Sequence, residues 1–581
     1  MRILLRLLPV CGLCALLAAT VAAAPMRPTH APHAMVTSVH ELASRAGVEM
    51  LRSGGNAVDA AVATGFALAV VHPQAGNLGG GGFLLLRNAN GKVHFIDFRE
   101  NAPAGATENM YLDAQGNVIP ESDHNSSVVG YKSIGVPGTV AGLVYAEKQY
   151  GKLSIEKVIA PAIKLARDGF PLAYEDTQDL KKDQYLAQFP ESNRIFLRDG
   201  NYYQPGDMFR QPELARTLER LAKDPDTFYH GAMARELAAA IQKGGGLVTT
   251  EDLAAYEVKE REPVRGSYRG YDIISAPPPS SGGVALVEIL NILEGFDLAK
   301  LGNRSGAAIH LEVEAFRRAF YDRADFMGDP DFAKVPVAQL IDKRYAAAWR
   351  DSIDLNRASV SKDLKRPSFA ELERVAQSHP SSIRESQNTT HFSVVDSEGN
   401  AVALTTTLND SFGSRVTAAG LGFLLNDEMD DFAAKQGVPN TYGLIQGPAN
   451  VIGPGKRPLS AMTPTIVLKD GKLFLVLGSP GGPRIITIVA NILIGVVDFS
   501  LDIQEAINAP RFHQQWLPDQ IFVEDRLSPD TMNILRSKGH KLKVDYSWGD
   551  WGDGECIMID PKTGERLGAS DGRNNGKAVG Y

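Results

Sequence analysis

The alternation of apolar and polar positions divides the chain into stretches of different character. Over residues 39–51 apolar side chains recur at helical spacing until Gly54-Gly55 break the run. Asn56 then opens an Ala-rich helix to residue 71, and so small-sided a helix suits close burial against a sheet. Gly79-Gly80-Gly81-Gly82 precedes an apolar run at 83–86 that predicts a buried strand, and residues 93–99 predict a second strand ending on Arg99. Four glycines ahead of a strand, rather than between a strand and a helix, do not make a phosphate loop.

Residues 140–350 predict mainly helix, with amphipathic stretches at 155–166, 215–222, 234–242 and 307–325. Ala276-Pro277-Pro278-Pro279-Ser280-Ser281-Gly282-Gly283 interrupts them as a rigid turn, either exposed or lining a site. From 354 to 388 the apolar periodicity is lost, which predicts loop, and from Thr389 the text is rich in strands. Residues 391–395 and 401–407 flank the turn Asp396-Ser397-Glu398-Gly399-Asn400 as one hairpin. Residues 466–468 and 473–476 form another through Lys469-Asp470-Gly471-Lys472, whose Asp-Gly pair suits a type I′ turn. Gly481-Gly482-Pro483 opens an apolar helix to about residue 497, with proline well placed at its start.

Composition narrows the class. With 44% hydrophobic and 22% charged residues in 581, the chain is no disordered, collagen-like or polytopic membrane protein. A formal charge of −8 gives no general attraction to nucleic acid or anionic lipid, which leaves small molecules or peptides as partners. Arg2 and Arg6 followed by an uncharged stretch that ends Ala22-Ala23-Ala24 predict a secretory signal peptide at 1–24 and a periplasmic or secreted protein. The alternative is an uncleaved anchor, for which the 18 uncharged residues at 7–24 lie at the lower limit. Cys11 and Cys14 belong to that segment, so Cys556 remains alone and reads as a buried thiol rather than a disulfide partner. The 12 histidines show no clustering with cysteine and predict no metal site.

The first hairpin carries candidate chemistry. If Val395 and Ala401 close a five-residue turn, Thr389 falls opposite Thr407, and cross-strand neighbours sit close enough for two hydroxyls to bond. A one-residue slip would break the pairing, and threonine is common in strands for other reasons. Thr389 also stands where polar loop meets strand, which suits a chain that cuts itself between Asn388 and Thr389. The freed α-amine, with a pKa near 8, takes the proton of the Thr389 hydroxyl, which a lone threonine does not readily lose. The Gly481-Gly482 turn offers unobstructed backbone N–H groups for an oxyanion, or is simply a tight turn.

Several long segments stand in order along the chain: Thr389-Thr390-His391-Phe392-Ser393-Val394-Val395-Asp396, Asn409, Asp427-Glu428-Met429-Asp430-Asp431-Phe432 and Gly478-Ser479-Pro480-Gly481-Gly482. With the stretches 72–83, 97–100, 277–283, 453–465 and 568–571, they resemble the γ-glutamyltranspeptidase (glutathione hydrolase) family from about residue 32 to Tyr581. The resemblance implies an α/β fold, a four-layer αββα sandwich of the N-terminal nucleophile type with a helical region in the large chain. It implies a precursor cut at Asn388–Thr389 into chains 25–388 and 389–581 that stay together as a heterodimer. Thr389 would be the nucleophile, Thr407 the supporting hydroxyl, and Gly481 and Gly482 the oxyanion hole.

For a γ-glutamyl substrate, the resemblance assigns the α-carboxylate to Arg99 and Ser460, and the α-ammonium to Asp431, Glu428 and Asn409. These charges are complementary to an amino acid head group. Where the family usually has Ser-Ser, this chain has Ser460-Ala461; one hydroxyl is missing, and a backbone N–H is left to serve. Residues 436–446 resemble a lid loop with Tyr442 facing the site. The expected activity is γ-glutamyl transfer and hydrolysis on glutathione and related amides, with an amino acid, a dipeptide or water as acceptor. No cofactor and no metal are needed. A glutaryl-cephalosporin acylase or a poly-γ-glutamate depolymerase on the same fold is the nearest alternative, and a non-catalytic exported γ-glutamyl-peptide binding protein is the alternative of another class.

Overall fold

The structure, a computed structural model, describes residues 26–368, 389–435, 444, 447–547 and 551–581. The chain begins with β1 (Thr29–Ala31), β2 (Met35–Ser38), α1 (Glu41–Arg52), α2 (Ala57–Val71), β3 (Gly81–Arg87) and β4 (Val93–Phe98). Beyond a mainly helical stretch follow β5 (Lys259–Arg261), β6 (Val264–Tyr268), β7 (Tyr271–Ser275), α3 (Gly282–Leu293) and α4 (Gly306–Phe326). After Thr389 come β8 (Thr389–Val395), β9 (Ala401–Thr407), β10 (Thr465–Lys469), β11 (Lys472–Leu477) and α5 (Arg484–Val497). The last sheet strands are β12 (Glu555–Ile559), β13 (Arg566–Ser570) and β14 (Lys577–Gly580).

These strands make two seven-stranded antiparallel sheets. One runs β14-β2-β8-β9-β3-β4-β5 and the other β1-β13-β12-β11-β10-β7-β6. The side chains of β3 explain why its text is apolar without interruption. Phe83 and Leu85 face the second sheet, in one core with Leu475, Leu477 and Ile557, while Leu84 and Leu86 face α1 and α2 in another. A strand covered on both faces has no polar side to alternate with. On the outer face of the second sheet, α3 and α5 lie in the same core as that sheet, and apolar residues surround each helix. The layer order is therefore helix, sheet, sheet, helix.

Local chemistry sets the helix ends. Asn56 caps α2 through the Val58 and Asp59 backbone N–H groups while Asp59 returns a bond to the Asn56 N–H, a reciprocal capping box. All fifteen residues of α2 are buried, as its small side chains require. The amphipathic windows become helices Ile155–Asp168, Pro212–Lys223, Ala232–Lys243 and α4. In the second hairpin Asp470 and Gly471 have φ of 51° and 74°, the positive pair of a type I′ turn. Cys556 is buried and unpaired, and burial raises its thiol pKa well above the ordinary value. Among the described residues no helix is long and apolar enough to cross a membrane.

Two parts of the text read differently once folded. Residues 259–275, taken as part of a helical region, form three strands that complete both sheets. The 276–281 turn is buried and lies along the Ser460 segment: the Ser281 N–H donates to the Ser460 carbonyl at 2.8 Å, and the Ser460 N–H to that of Pro279 at 3.0 Å.

Candidate active site

Thr389 is the first residue of β8 and Thr407 the last of β9. They are paired in register, as the hairpin count requires, and their hydroxyl oxygens lie 3.3 Å apart. The Thr407 hydroxyl also accepts the Asn409 N–H at 2.8 Å, and Asn409 adopts φ of 82°, a left-handed conformation asparagine tolerates. Asn77 fixes the end of β9. Its side-chain N–H₂ donates to the Thr407 carbonyl at 2.9 Å, and its oxygen accepts from the Gly80 N–H at 3.0 Å and the Thr139 hydroxyl at 2.6 Å. The glycine run makes this approach possible: a Cβ on Gly80 would lie 2.0 Å from the Thr407 carbonyl oxygen, and one on Gly82 2.3 Å from that of Thr405.

The turn before α5 faces the same place. Gly481 and Gly482 have φ of 131° and 52°, and neither backbone N–H donates to any described residue. Their carbonyls instead accept from the Arg484 and Ile485 N–H groups at 3.0 and 3.1 Å, which winds the first turn of α5. Unspent N–H groups at a helix start form an anion site in geometry and in dipole. Upstream, Gly478 passes under the buried His391 ring, where a Cβ would lie 2.3 Å from a ring carbon. Burial lowers the His391 pKa to about 3, so the ring is neutral; its nitrogens lie 2.8 Å from the Thr405 hydroxyl and 3.2 Å from that of Ser393.

Arg99, Thr389, Thr407, Asn409, Glu428, Asp431, Ser460, Ala461 and Gly482 line one cavity, so the structure brings together residues spread over nearly 400 positions of sequence. Gly481 adjoins it. Asn388 and Tyr442 lie outside the described residues. Arg99 is fully buried, with Glu428 and Asp431 on its terminal nitrogens, Asp431 at 2.5 Å and Glu100 at 3.7 Å. Burial works against the Arg99 charge, but these three carboxylates outweigh it and hold its pKa above the ordinary value. Burial likewise raises Glu100, to about 7, and Glu428 well above the carboxylate range, with Arg99 opposing both shifts. Arg99 and these carboxylates therefore lie against one another, and each buried charge is offset by its neighbours.

Ser460 accepts the Met462 N–H on its hydroxyl at 3.1 Å and keeps its own O–H to donate, while the Ala461 N–H has no partner among the described residues. Asn450 ties the two walls, donating to the Asp431 carbonyl at 2.7 Å and accepting from the Leu459 N–H at 3.0 Å. Sequence reasoning missed Glu100 and Arg323. The first ends the matching stretch 97–100 without any chemistry of its own in the text. The second is one charge in the amphipathic pattern of α4, and nothing in one dimension shows that it faces the cavity.

Away from this site, His310, Glu314 and His540 come together, a group the scattered histidines did not suggest. Arg318 and Arg317 hold the Glu314 carboxylate at 2.7 and 3.4 Å, and the two rings bond each other at 2.8 Å. With two guanidiniums on its only carboxylate, the group is built as an internal polar network rather than as a cation cage.

An αββα sandwich with a threonine at the head of a central strand, facing a Gly-Gly helix start, has the architecture of the N-terminal nucleophile hydrolases. The family model described as Gamma-glutamyltranspeptidase matches residues 43–581. The glutathione hydrolase proenzyme of Escherichia coli K12 is 50% identical over 550 residues, 94% of this chain and 91% of that protein. Among solved structures, a cephalosporin acylase from Bacillus halodurans superposes with a TM-score of 0.83 at 26% identity, covering 96% of this chain and 97% of the other. A γ-glutamyltranspeptidase chain from Helicobacter pylori is 46% identical with a TM-score of 0.56, 97% of it matching 59% of this chain. The chain belongs to the γ-glutamyltranspeptidase family.

Proposed function

We propose that this protein is an exported γ-glutamyltransferase and glutathione hydrolase that activates itself by cleavage at Asn388–Thr389. The Thr389 hydroxyl first attacks the Asn388 carbonyl, and collapse breaks the peptide C–N bond, freeing the Thr389 α-amine and leaving Asn388 as an ester on Oγ1; water then cleaves that ester, releasing the Asn388 carboxylate and restoring the Thr389 hydroxyl. In turnover that amine takes the hydroxyl proton as Thr389 Oγ1 attacks the γ-carbonyl of glutathione or another γ-glutamyl amide. The oxyanion forms against the Gly481 and Gly482 N–H groups. Collapse expels the leaving amine, which takes the proton back, and leaves a γ-glutamyl ester on Thr389. Water then releases glutamate, or an amino acid or dipeptide amine carries the γ-glutamyl group away. Thr407 supports the nucleophile through its hydroxyl. Arg99, Ser460 and the Ala461 N–H serve the substrate α-carboxylate; Asp431, Glu428 and Asn409 serve the α-ammonium.

The observation that carries this reading is the Thr389–Thr407 hydroxyl pair in one cavity with Gly482 and with acids suited to an ammonium. Those acids separate it from a glutaryl acylase, whose acyl group has no ammonium to bind. The signal segment supports export. The test is the denatured mass and N-terminal sequence of each species in the purified protein. Two chains are expected, the smaller beginning Thr389-Thr390-His391, together with release of p-nitroaniline from γ-glutamyl-p-nitroanilide. In Thr389→Ala both the cut and the turnover are lost. An uncut yet active wild type would overturn the mechanism.

A further inference from the structure

A side chain behind the glycine turn has no task in the proposed function. Ser479 is wholly buried, stands two residues before Gly481 and does not itself line the cavity. Its hydroxyl donates to the Pro480 carbonyl at 2.8 Å and accepts the Asp553 N–H at 3.1 Å. Among the described residues no other group donates to that carbonyl. The carbonyl belongs to the same planar peptide unit as the Gly481 N–H, and across a trans bond the two point in opposite directions. A hydroxyl that holds one end of the unit therefore aims the other.

The unit needs holding, because Gly481 at φ of 131° has no Cβ to restrict its rotation and no backbone bond from its N–H to a described residue. What backs the hydroxyl is firm. A Cβ on Gly552 would lie 2.6 Å from the Pro480 carbonyl oxygen and 2.7 Å from Ser479 Oγ, so the 552–553 backbone rests directly on the pair. That segment is fastened on both sides. The Glu555 N–H donates to the Gly478 carbonyl at 3.2 Å, and the Gly554 N–H to Asp571 Oδ2 at 3.0 Å. Arg511 donates to the same Asp571 oxygen at 2.5 Å and also to the Trp551 carbonyl. Asp571, the last residue of the matching stretch 568–571, thus reaches the oxyanion turn through the segment that supports Ser479.

We propose that Ser479 is a positioning residue for the reaction: by holding the Pro480 carbonyl against the 552–553 segment, its hydroxyl aims the Gly481 N–H at the oxyanion. The inference rests on the γ-glutamyl reading of the site and on Gly481 as an oxyanion donor. Preorganised donors matter in the transition state, where charge gathers on the former carbonyl oxygen, and much less to a bound ligand that has no oxygen there. Ser479 therefore acts on turnover and leaves recognition of the amino acid head group alone.

The experiment compares two competitive inhibitors of the mature two-chain protein. The boronic acid analogue of glutamate, with boron in place of the γ-carboxyl carbon, takes Thr389 Oγ1 onto boron and forms a tetrahedral anion with an oxygen at the oxyanion position. L-Norvaline keeps the head group and the chain but ends in a methyl group, so it has nothing for the Gly481 N–H to bind. In Ser479→Ala the boronic acid is expected to bind at least about tenfold more weakly, part of the roughly 100-fold or more that a lost oxyanion donor costs. The kcat/KM for γ-glutamyl-p-nitroanilide falls by a similar factor, while norvaline binding stays within about twofold of wild type. A merely structural role weakens both inhibitors alike. That result, or unchanged binding of the boronic acid, overturns the proposal. Should Ser479→Ala fail to fold or to cut itself, Ser479→Cys decides, since a thiol is a weak donor: a boronic acid preference over norvaline equal to wild type overturns the assignment and a reduced one supports it. Absence of turnover of any γ-glutamyl donor by wild type would sink the functional reading instead.

Discussion

At the scale of single residues, the Thr389–Thr407 pair was legible because a hairpin has arithmetic: one turn fixes every partner on both strands. At this pair the Thr407 hydroxyl serves, among the described residues, the Thr389 hydroxyl and the Asn409 N–H. Thr407→Val removes this partner from both in a buried place, a loss of about 1–3 kcal/mol or roughly 5- to 150-fold. It is expected to slow self-cleavage and kcat by about that factor, while Thr407→Ser stays within a few-fold; equal rates in Thr407→Val and wild type would exclude the role. Glu100 was not legible, because its character comes from Arg99, Glu428 and burial rather than from its neighbours in sequence. Its pKa, raised from 4.5 to about 7, has a consequence for stability. Between those pH values the folded chain holds a proton that the unfolded chain has released, so this group's contribution is lost as pH rises through the window. Glu100→Gln is therefore expected to flatten the decline of Tm from pH 4.5 to above 7, measured by differential scanning calorimetry against wild type.

At the scale of elements, the periodic helices and both predicted hairpins could be read from the sequence, while the strands within 259–275 were not separated from their helical surroundings. Helix α3 is covered on all sides, with even Glu288 and Asn291 buried, so it shows no exposed polar face and no clear amphipathic period. Strands β6 and β7 pair with each other through the two-residue turn Arg269-Gly270, both at positive φ, a local signal that the helical expectation overrode, whereas β5 pairs with β4, far away in sequence, and leaves no local mark. The glycine run at 79–82 was visible, but its purpose was not until β9 was seen passing against it. Gly80→Ala drives a Cβ into the Thr407 carbonyl. A shift of about 1 Å at a reacting group costs on the order of 100-fold. The variant is expected to fold, yet to lose kcat/KM for γ-glutamyl-p-nitroanilide by about that factor. Gly478→Ala meets the neutral His391 ring instead, a side chain between the sheets, and is expected to cost about 1–3 kcal/mol of stability in denaturant titration with a smaller effect on turnover.

At the scale of the whole molecule, cleavage before Thr389 would divide the sandwich in an unusual way. In the first sheet β2, from the large chain, would lie between β14 and β8, both from the small chain, while β9 of the small chain would pair with β3 of the large one. In the second sheet β1 would cap the small chain's strands at one edge and β7 would continue them at the other. Neither product would own a complete sheet, and both cores contain residues from each side of the cut, such as Leu84 with Leu404 and Phe83 with Leu475. The contact is then a domain interior rather than a docking face, and its strength comes from apolar burial and ladder hydrogen bonds that salt does not screen. Mature protein is therefore expected to elute as one species on size exclusion in about 1 M NaCl, where the Debye length is near 3 Å. It is expected to unfold in one cooperative transition in which both chains lose structure at the same guanidinium concentration. Separation of folded chains by salt alone, or two well-resolved transitions, would show that each half holds its own fold, which the interleaved strand order forbids.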